Sequence, residues 1–209
     1  MTAHQIALFL GAALLLALAP GPDNLGVLAL GISRGKSIAL GFALGCAAGC
    51  LNHTLLAVIG VSALIAASPL AFKAMQLLGA AYLVWIGIQA LRSRGTGISQ
   101  TNAPQTGASF ASSFRQGLIA NAINPKVGLF FLSFLPQFVR PDGWPAHWQL
   151  ACLGALFALV AALVFGAIAL AADPIGVWLR RRERLGLWLD RASGGLFVGL
   201  GILTAAGIR

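Results

Sequence analysis

Charged residues are scarce in this chain, and acidic residues are the scarcest of them. The 209 residues include 14 Lys and Arg but only 5 Asp and Glu, so charged side chains make up 9% of the sequence. A soluble domain usually carries about 25%, and so few charges cannot cover a surface that faces water. Hydrophobic residues reach 58%, and the mean hydropathy is +0.87. We therefore predict that lipid surrounds most of this protein.

Cysteines and catalytic motifs are scarce as well. Cys46, Cys50 and Cys152 all lie inside apolar runs, and their odd number argues against a disulfide framework. The sequence has no phosphate-binding glycine loop, HExxH pair or nucleophile elbow, so we expect neither an enzyme nor an organic cofactor or resident metal. The basic residues lie between apolar runs, so the net charge of +9 does not indicate a nucleic-acid partner.

Long apolar runs are what the sequence has in abundance. About 20 apolar residues cross a bilayer, and six runs of that kind predict an all-α integral membrane protein that forms a single domain over residues 1–209. No basic segment precedes the first run, so we predict a retained span rather than a cleaved signal peptide. The predicted spans are Gln5–Ile32, Ile38–Ala67, Leu70–Leu91, Gln116–Phe138, a fifth from Leu150 to between Ala172 and Leu179, and Ala192–Ile208.

The distribution of Lys and Arg predicts how these spans are oriented. Three basic residues flank the spans on one side, namely Lys73, Arg140 and Arg209. Ten lie in or beside the connections after spans 1, 3 and 5, namely Arg34, Lys36, Arg92, Arg94, Arg115, Arg180, Arg181, Arg182, Arg184 and Arg191. The positive-inside rule places these three connections in the cytoplasm and both termini on the outer, periplasmic side.

Spans 1 and 4 are both interrupted by proline, in "ALAPGPDNLG" and "ANAINPKVGL". Spans 3 and 6 also contain similar glycine-rich sequences, "LLGAAYLVWIGI" and "RASGGLFVGLGI". Because three spans are an odd number, the second half must enter the membrane from the opposite side. We therefore predict two inverted three-helix repeats, at about residues 5–91 and 116–208, joined by a polar cytoplasmic loop at about 92–115.

The first interruption places polar chemistry inside the membrane. Pro20, Gly21 and Pro22 free backbone groups that lipid cannot satisfy, and this backbone must face protein or a water-filled cavity. The two half-helix ends offer donors for a carboxylate and acceptors for an ammonium group, as an amino acid requires. Asp23, followed by the amide of Asn24, could bind that ammonium, exchange a proton or cap the second half-helix. A kinked helix with Asp23 as a purely structural cap is the plainer interpretation.

The second interruption supplies amides and a cation. Asn121 and Asn124 can both donate and accept hydrogen bonds, and Pro125 breaks the helix beside them. Lys126 could neutralise Asp23 or bind a substrate carboxylate. Alternatively, it could extend to the cytoplasmic interface, because it follows Arg115 by only 11 residues.

Span 2 carries Gly41, Gly45, Gly49 and His53 at intervals of four. This spacing predicts a ridge of small residues on which another helix packs closely. His53, at the end of the ridge, is either a member of a proton relay or a hydrogen-bonded core histidine. Cys46 and Cys50 adjoin the ridge; with His53 they could form a soft-metal site or a redox pair, or act only as small apolar residues.

The segments "APGPDNLGVLALGISRGKSIALGFALG", "LLGAAYLVWIGIQALRS" and "FRQGLIANAINPKVGLFFLSFLPQFV" closely resemble the LysE/RhtB-type family of bacterial amino-acid exporters. The resemblance extends from about Leu14 to Gly201. It implies a six-span bacterial inner-membrane protein that exports amino acids such as threonine, homoserine, lysine or cysteine, driven by the proton gradient. The motif positions that it implies here are Pro20, Gly21, Pro22, Asp23, Gly45, Gly49, His53, Asn124, Pro125 and Lys126.

The leading hypothesis is therefore an amino-acid exporter that works by alternating access between its two repeats. Its expected partners are an amino-acid substrate, protons and the bilayer, and a homo-oligomer is compatible with the sequence. Asp23, together with His53, is the expected protonation site. Two alternatives use the cysteines: a soft-metal exporter built on Cys46, Cys50 and His53, or a membrane thiol-redox enzyme that cycles Cys46 and Cys50 through a disulfide.

Overall fold

A computed structural model describes residues 1–93, 109–140, 143–180 and 185–206 of the chain. Every regular element in these ranges is helical, which confirms the all-α class. After α6 the chain continues through a π-helical turn, Phe130–Phe134, and a 3₁₀ turn, Leu135–Phe138. The helices are α1 Ala3–Leu18, α2 Pro22–Arg34, α3 Lys36–Ala67, α4 Pro69–Arg92, α5 Phe110–Ala122, α6 Pro125–Leu129, α7 Ala146–Leu170, α8 Ala172–Arg180 and α9 Leu185–Ala206.

Within the described ranges, three helices are long and apolar enough to cross a membrane: α3, α4 and α7. Two bent pairs raise the number to five. α1 and α2 meet at 53°, and α5 meets the segment Pro125–Phe138 at 50°. The predicted interruptions of spans 1 and 4 are therefore confirmed. α9 is not among the five and carries Asp190 and Arg191, so the sixth span, like the inverted repeat, stays a prediction.

The prolines that follow the breaks fit into the structure because each of them stands at the start of a new helix. Pro22, Pro69 and Pro125 all stand in the first turn of their helices, where the missing N–H would have had no helical partner. Gly35 separates α2 from α3 with a φ of 87°, in the left-handed region that favours glycine. Local chemistry therefore sets these boundaries, and Pro22 and Pro125 lie in the two interruptions that the sequence predicts.

The predicted boundaries of three spans differ from the structure. α9 begins at Leu185, seven residues before the predicted start of the sixth span at Ala192. α5 begins at Phe110, six residues before the predicted start at Gln116, because Ser109 and Ser112 form a capping box there. The fifth span begins at Ala146 and ends at Leu170, and a separate helix, α8, then carries an exposed Asp173 in its first turn. Four segments lie outside the described residues: 94–108, which is most of the predicted loop, 141–142, 181–184 with three of the predicted cytoplasmic arginines, and 207–209.

The glycine ridge of α3 is a packing surface, as predicted. A Cβ atom built on Gly45 would lie 2.0 Å from the carbonyl oxygen of Phe114 in α5, and one on Gly117 would lie 2.1 Å from that of Phe42 in α3. Only glycine at these positions lets the two backbones approach so closely. α3 also packs along α7, and α4 packs along α9. The α3–α5 contact brings the second helix break against the middle of α3.

Candidate functional site

Polar side chains satisfy backbone carbonyl groups at the first break. Asn24 Nδ2 donates to the carbonyl oxygen of Ala17 at 2.7 Å, and Lys126 Nζ donates to that of Ala19 at 3.4 Å. These carbonyls lie at the end of α1, where no further helical N–H is available. The sequence predicted freed backbone groups at this point, and these two side chains are their partners.

The second break is organised by its two asparagines. Asn124 caps α6: its Oδ1 accepts from the backbone N–H of Lys126 at 3.1 Å. The backbone N–H of Asn124 in turn donates to the carbonyl oxygen of Asn121 at 2.9 Å. These bonds leave the Nδ2 groups of both asparagines free to donate elsewhere.

Both Nδ2 groups donate to one oxygen of Asp23. Oδ2 accepts from Asn121 at 2.7 Å and from Asn124 at 3.3 Å, so the carboxylate joins the break in span 1 to the break in span 4. The aspartate is 5% exposed. Oδ1 is buried and has no hydrogen-bond partner among the described residues. A buried carboxylate oxygen without a partner carries a large desolvation cost.

Asp23 is not the cap of its own helix. Gly21 occupies the cap position of α2 and provides no side-chain hydrogen bond. The carboxylate directs its two hydrogen bonds across to the other break. It still lies in the first turn of α2, where the helix dipole favours a negative charge.

His53 and Cys50 hold Asn121 from the other side. His53 Nε2 lies 2.8 Å from the carbonyl oxygen of Asn121. Since a carbonyl oxygen only accepts, this nitrogen carries the proton. Cys50 Sγ donates to Asn121 Oδ1 at 3.6 Å and to the carbonyl oxygen of Cys46 at 3.5 Å. His53 is therefore a hydrogen-bonded core histidine that is linked to Asp23 through one asparagine.

Lys126 reaches inward rather than toward an interface. Besides Ala19, its Nζ lies 4.7 Å from the centroid of the Phe197 ring in α9. A Cβ atom on Gly21 would lie 2.9 Å from the same Nζ, so this glycine leaves room for the ammonium group. In the described part of the chain, no ion pair joins Lys126 to Asp23.

These side chains surround a cavity of about 20 Å³. A volume of this size accommodates about one water molecule and is too small for an amino acid, so the conformation is closed. The cavity is lined by Leu16, Ala17, Gly21, Pro22, Asp23, Asn24, Cys50, Asn121, Asn124, Lys126, Val127, Phe157 and Phe165.

The sequence analysis did not select Phe157 and Phe165, because no sequence motif marks a phenylalanine that reaches a site from another helix.

The family model for the LysE type translocator matches residues 14–207, which include both breaks and every residue at this site. The chain belongs to the LysE type translocator family. This confirms the resemblance that the sequence indicated. It makes the protein a member of a family of amino-acid efflux transporters rather than of enzymes.

Some relatives of the chain have names that state what they export. The chain is 32% identical to the homoserine/homoserine lactone efflux protein of Salmonella typhimurium, over 92% of this chain and 91% of the relative. It is 31% identical to the threonine efflux protein of Escherichia coli K12, over 88% and 89%. It is 30% identical to the leucine efflux protein of an Enterobacter species, over 90% and 88%. No solved structure gives a significant match.

The two cysteine-based alternatives receive no support from this translocator's structure. Among the described residues, no group of three His, Cys, Asp or Glu side chains is arranged to hold a metal ion. Both Cys46 and Cys50 are buried as free thiols, and the single S–H group of Cys50 has two acceptors within reach, the carbonyl oxygen of Cys46 and Oδ1 of Asn121. A soft-metal exporter built on Cys46, Cys50 and His53 is therefore not supported.

Proposed function

We propose that this translocator exports amino acids or close derivatives across the bacterial inner membrane in exchange for protons. Family membership and the names of the relatives support the substrate class. The relatives named for threonine and leucine differ in side-chain polarity, and homoserine lactone has no free carboxylate, so the group common to all the named substrates is the α-ammonium.

The surroundings of Asp23 are the main support for this proposal. One of its oxygens is held by two amides, and the other is buried without a partner among the described residues. A proton on Oδ1 would neutralise the Asp23 carboxylate, and a substrate ammonium at Oδ1 would instead balance its negative charge. Because one oxygen cannot hold both at once, proton and substrate exclude each other. This exclusion is the basis of an antiport.

Transport requires the closed cavity to open to each side in turn. Both walls of the cavity are helix breaks, one bent by 53° and the other by 50°. Breaks of this kind can absorb the backbone changes of a hinge. We propose that the two three-helix halves, related as an inverted repeat, rock about Asp23 and its two asparagines. We propose that the loops after spans 1, 3 and 5 are cytoplasmic and both termini periplasmic, and the excess of basic residues in those loops supports this orientation.

Inside-out membrane vesicles test the proposal, because their lumen corresponds to the periplasm. Uptake of labelled threonine, homoserine and leucine should accelerate when the lumen is made acidic, and this acceleration should vanish when the gradient is collapsed. Asp23→Asn should abolish the acceleration, because an amide takes up no proton at neutral pH. Asp173→Asn is the matched control, since Asp173 is exposed in α8. Full gradient-driven uptake by Asp23→Asn would refute the coupling role.

A further inference from the structure

We propose that Lys126 is the ligand for the substrate's α-carboxylate, so that the site recognises both charged ends of an amino acid. This inference rests on the proposed function and extends it from a proton and ammonium site to a zwitterion site. It also assigns a role to a cation that proton exchange at Asp23 does not use.

The ammonium group of Lys126 has only weak partners in the closed site. Its hydrogen bond to the Ala19 carbonyl oxygen is 3.4 Å long, whereas charge-assisted hydrogen bonds of this kind are usually about 2.7–2.9 Å. Its second partner is the face of Phe197, at 4.7 Å from the ring centroid. A carboxylate would be a stronger partner than either. The ammonium group is therefore available for exchange to an anionic ligand.

Lys126 and Asp23 line the same cavity without neutralising each other. Asp23 bonds to two asparagines, and Lys126 bonds to a backbone carbonyl. Two opposite charges that share a cavity but have separate partners are complementary to a ligand with both charges. Asp23 Oδ1, buried without a described partner, is the position for the ammonium end.

The start of α2 adds to the positive side of the site. Gly21 lines the cavity, occupies the cap position of this 13-residue helix, and provides no side chain to bond its first N–H groups. The dipole at this end favours an anion. The absence of a Cβ on Gly21 also leaves room for Lys126 Nζ, which a Cβ would approach to 2.9 Å. Glycine between the two prolines thus leaves space at the place where a carboxylate would meet the lysine.

A purely structural role predicts a different outcome. If Lys126 only stabilises the end of α1, its removal lowers the stability of the protein and lowers the affinity for all ligands by the same factor. A ligand for the carboxylate, in contrast, distinguishes an amino acid from its amide, which keeps the ammonium group and side chain but lacks the negative charge. Threonine and threonine amide, or leucine and leucine amide, are therefore suitable pairs.

The experiment measures the binding of each pair to the purified full-length protein by calorimetry, with a melting temperature recorded for every variant. Lys126→Met removes the charge and keeps the chain length, Lys126→Arg keeps the charge, and Lys73→Met is the control at an exposed position of α4. We expect Lys126→Met to bind the amino acid about 10- to 100-fold more weakly and the amide within about 2-fold of the wild type. Lys126→Arg should keep part of the preference for the amino acid.

Four outcomes would overturn the assignment. Equal weakening of the amino acid and its amide in Lys126→Met would indicate a structural role. Unchanged binding of both would show that Lys126 contacts neither. If the wild-type protein binds amino acid and amide equally well, the carboxylate is not recognised, although the proposed function could still hold. If it binds neither member of any pair, the proposed function fails, and this assignment fails with it.

Discussion

The contact between α3 and α5 gives the sharpest quantitative prediction, at Gly45. A Cβ atom there would lie 2.0 Å from the carbonyl oxygen of Phe114 and 2.9 Å from the backbone nitrogen of Leu118. Both are backbone atoms, so no side chain can rotate away. Ordinary contact begins near 3.5 Å, so Gly45→Ala must move the helices apart by roughly 1.5 Å.

That movement should affect both stability and transport. Overpacking in a well-packed interior typically costs about 1–3 kcal/mol, and we expect Gly45→Ala to lose about that much free energy of unfolding. Asn121 lies at the end of α5, and its hydrogen bonds to Asp23 and His53 are 2.7 and 2.8 Å long. A shift of about 1 Å at such a site can lower the rate about 100-fold, so uptake should fall by a similar factor.

Gly60 provides the matched control in the same helix. It is exposed, and no described atom lies within 4 Å of a Cβ built on it. Gly60→Ala should therefore be neutral, or more stable by up to about 1 kcal/mol, because alanine is the better helix former. Reversible unfolding in mixed detergent gives both free energies, and vesicle uptake gives the rates. A Gly45→Ala protein as stable and active as Gly60→Ala would refute the close packing of α3 on α5.

Two further predictions concern buried polar side chains, one beside the site and one at the start of α7. His53→Phe removes the ring donor to the carbonyl oxygen of Asn121, so uptake should fall by about 10-fold or more. The control His147→Phe, at an exposed position, should keep the wild-type rate. Equal uptake rates in the two variants would argue that the His53 hydrogen bond does not support the site. Gln149 is fully buried and bonds to both backbone groups of Arg140 and to the carbonyl oxygen of Trp144. Gln149→Leu should lose about 3 kcal/mol in detergent unfolding, at about 1 kcal/mol per hydrogen bond, and an unchanged midpoint would contradict this.

The two broken spans could be predicted because their causes are local. A proline in an apolar run interrupts the helix wherever the run is placed in the fold, and Pro20, Pro22 and Pro125 do so here. Asp23 could be selected for a similar reason, since a carboxylate inside the membrane needs a partner in any arrangement. The glycine ridge of α3 follows from helical spacing alone.

The partners of these residues depended on tertiary structure and could not be predicted. Nothing in the spacing of Asn121 and Asn124 indicates that both amides meet one oxygen of a residue about a hundred positions earlier. The aromatic ring beneath Lys126 comes from α9, and Phe157 and Phe165 reach the cavity from α7. Such contacts depend on how the helices pack, which local sequence patterns do not reveal.

The hydrogen bonds of Asp23 also explain why the proposed exchange would be obligatory. Asn121 and Asn124 belong to the second half of the chain, so their bonds to Asp23 exist only while the two breaks are together. In the proposed cycle the halves separate, so that a charged carboxylate would lose both donors and need water or a cation instead. Returning it to the closed cavity with Oδ1 still charged and unpartnered would leave a large desolvation cost uncompensated. Closure is then favourable only when a proton or a substrate ammonium occupies Oδ1, and an empty, charged site cannot complete the cycle.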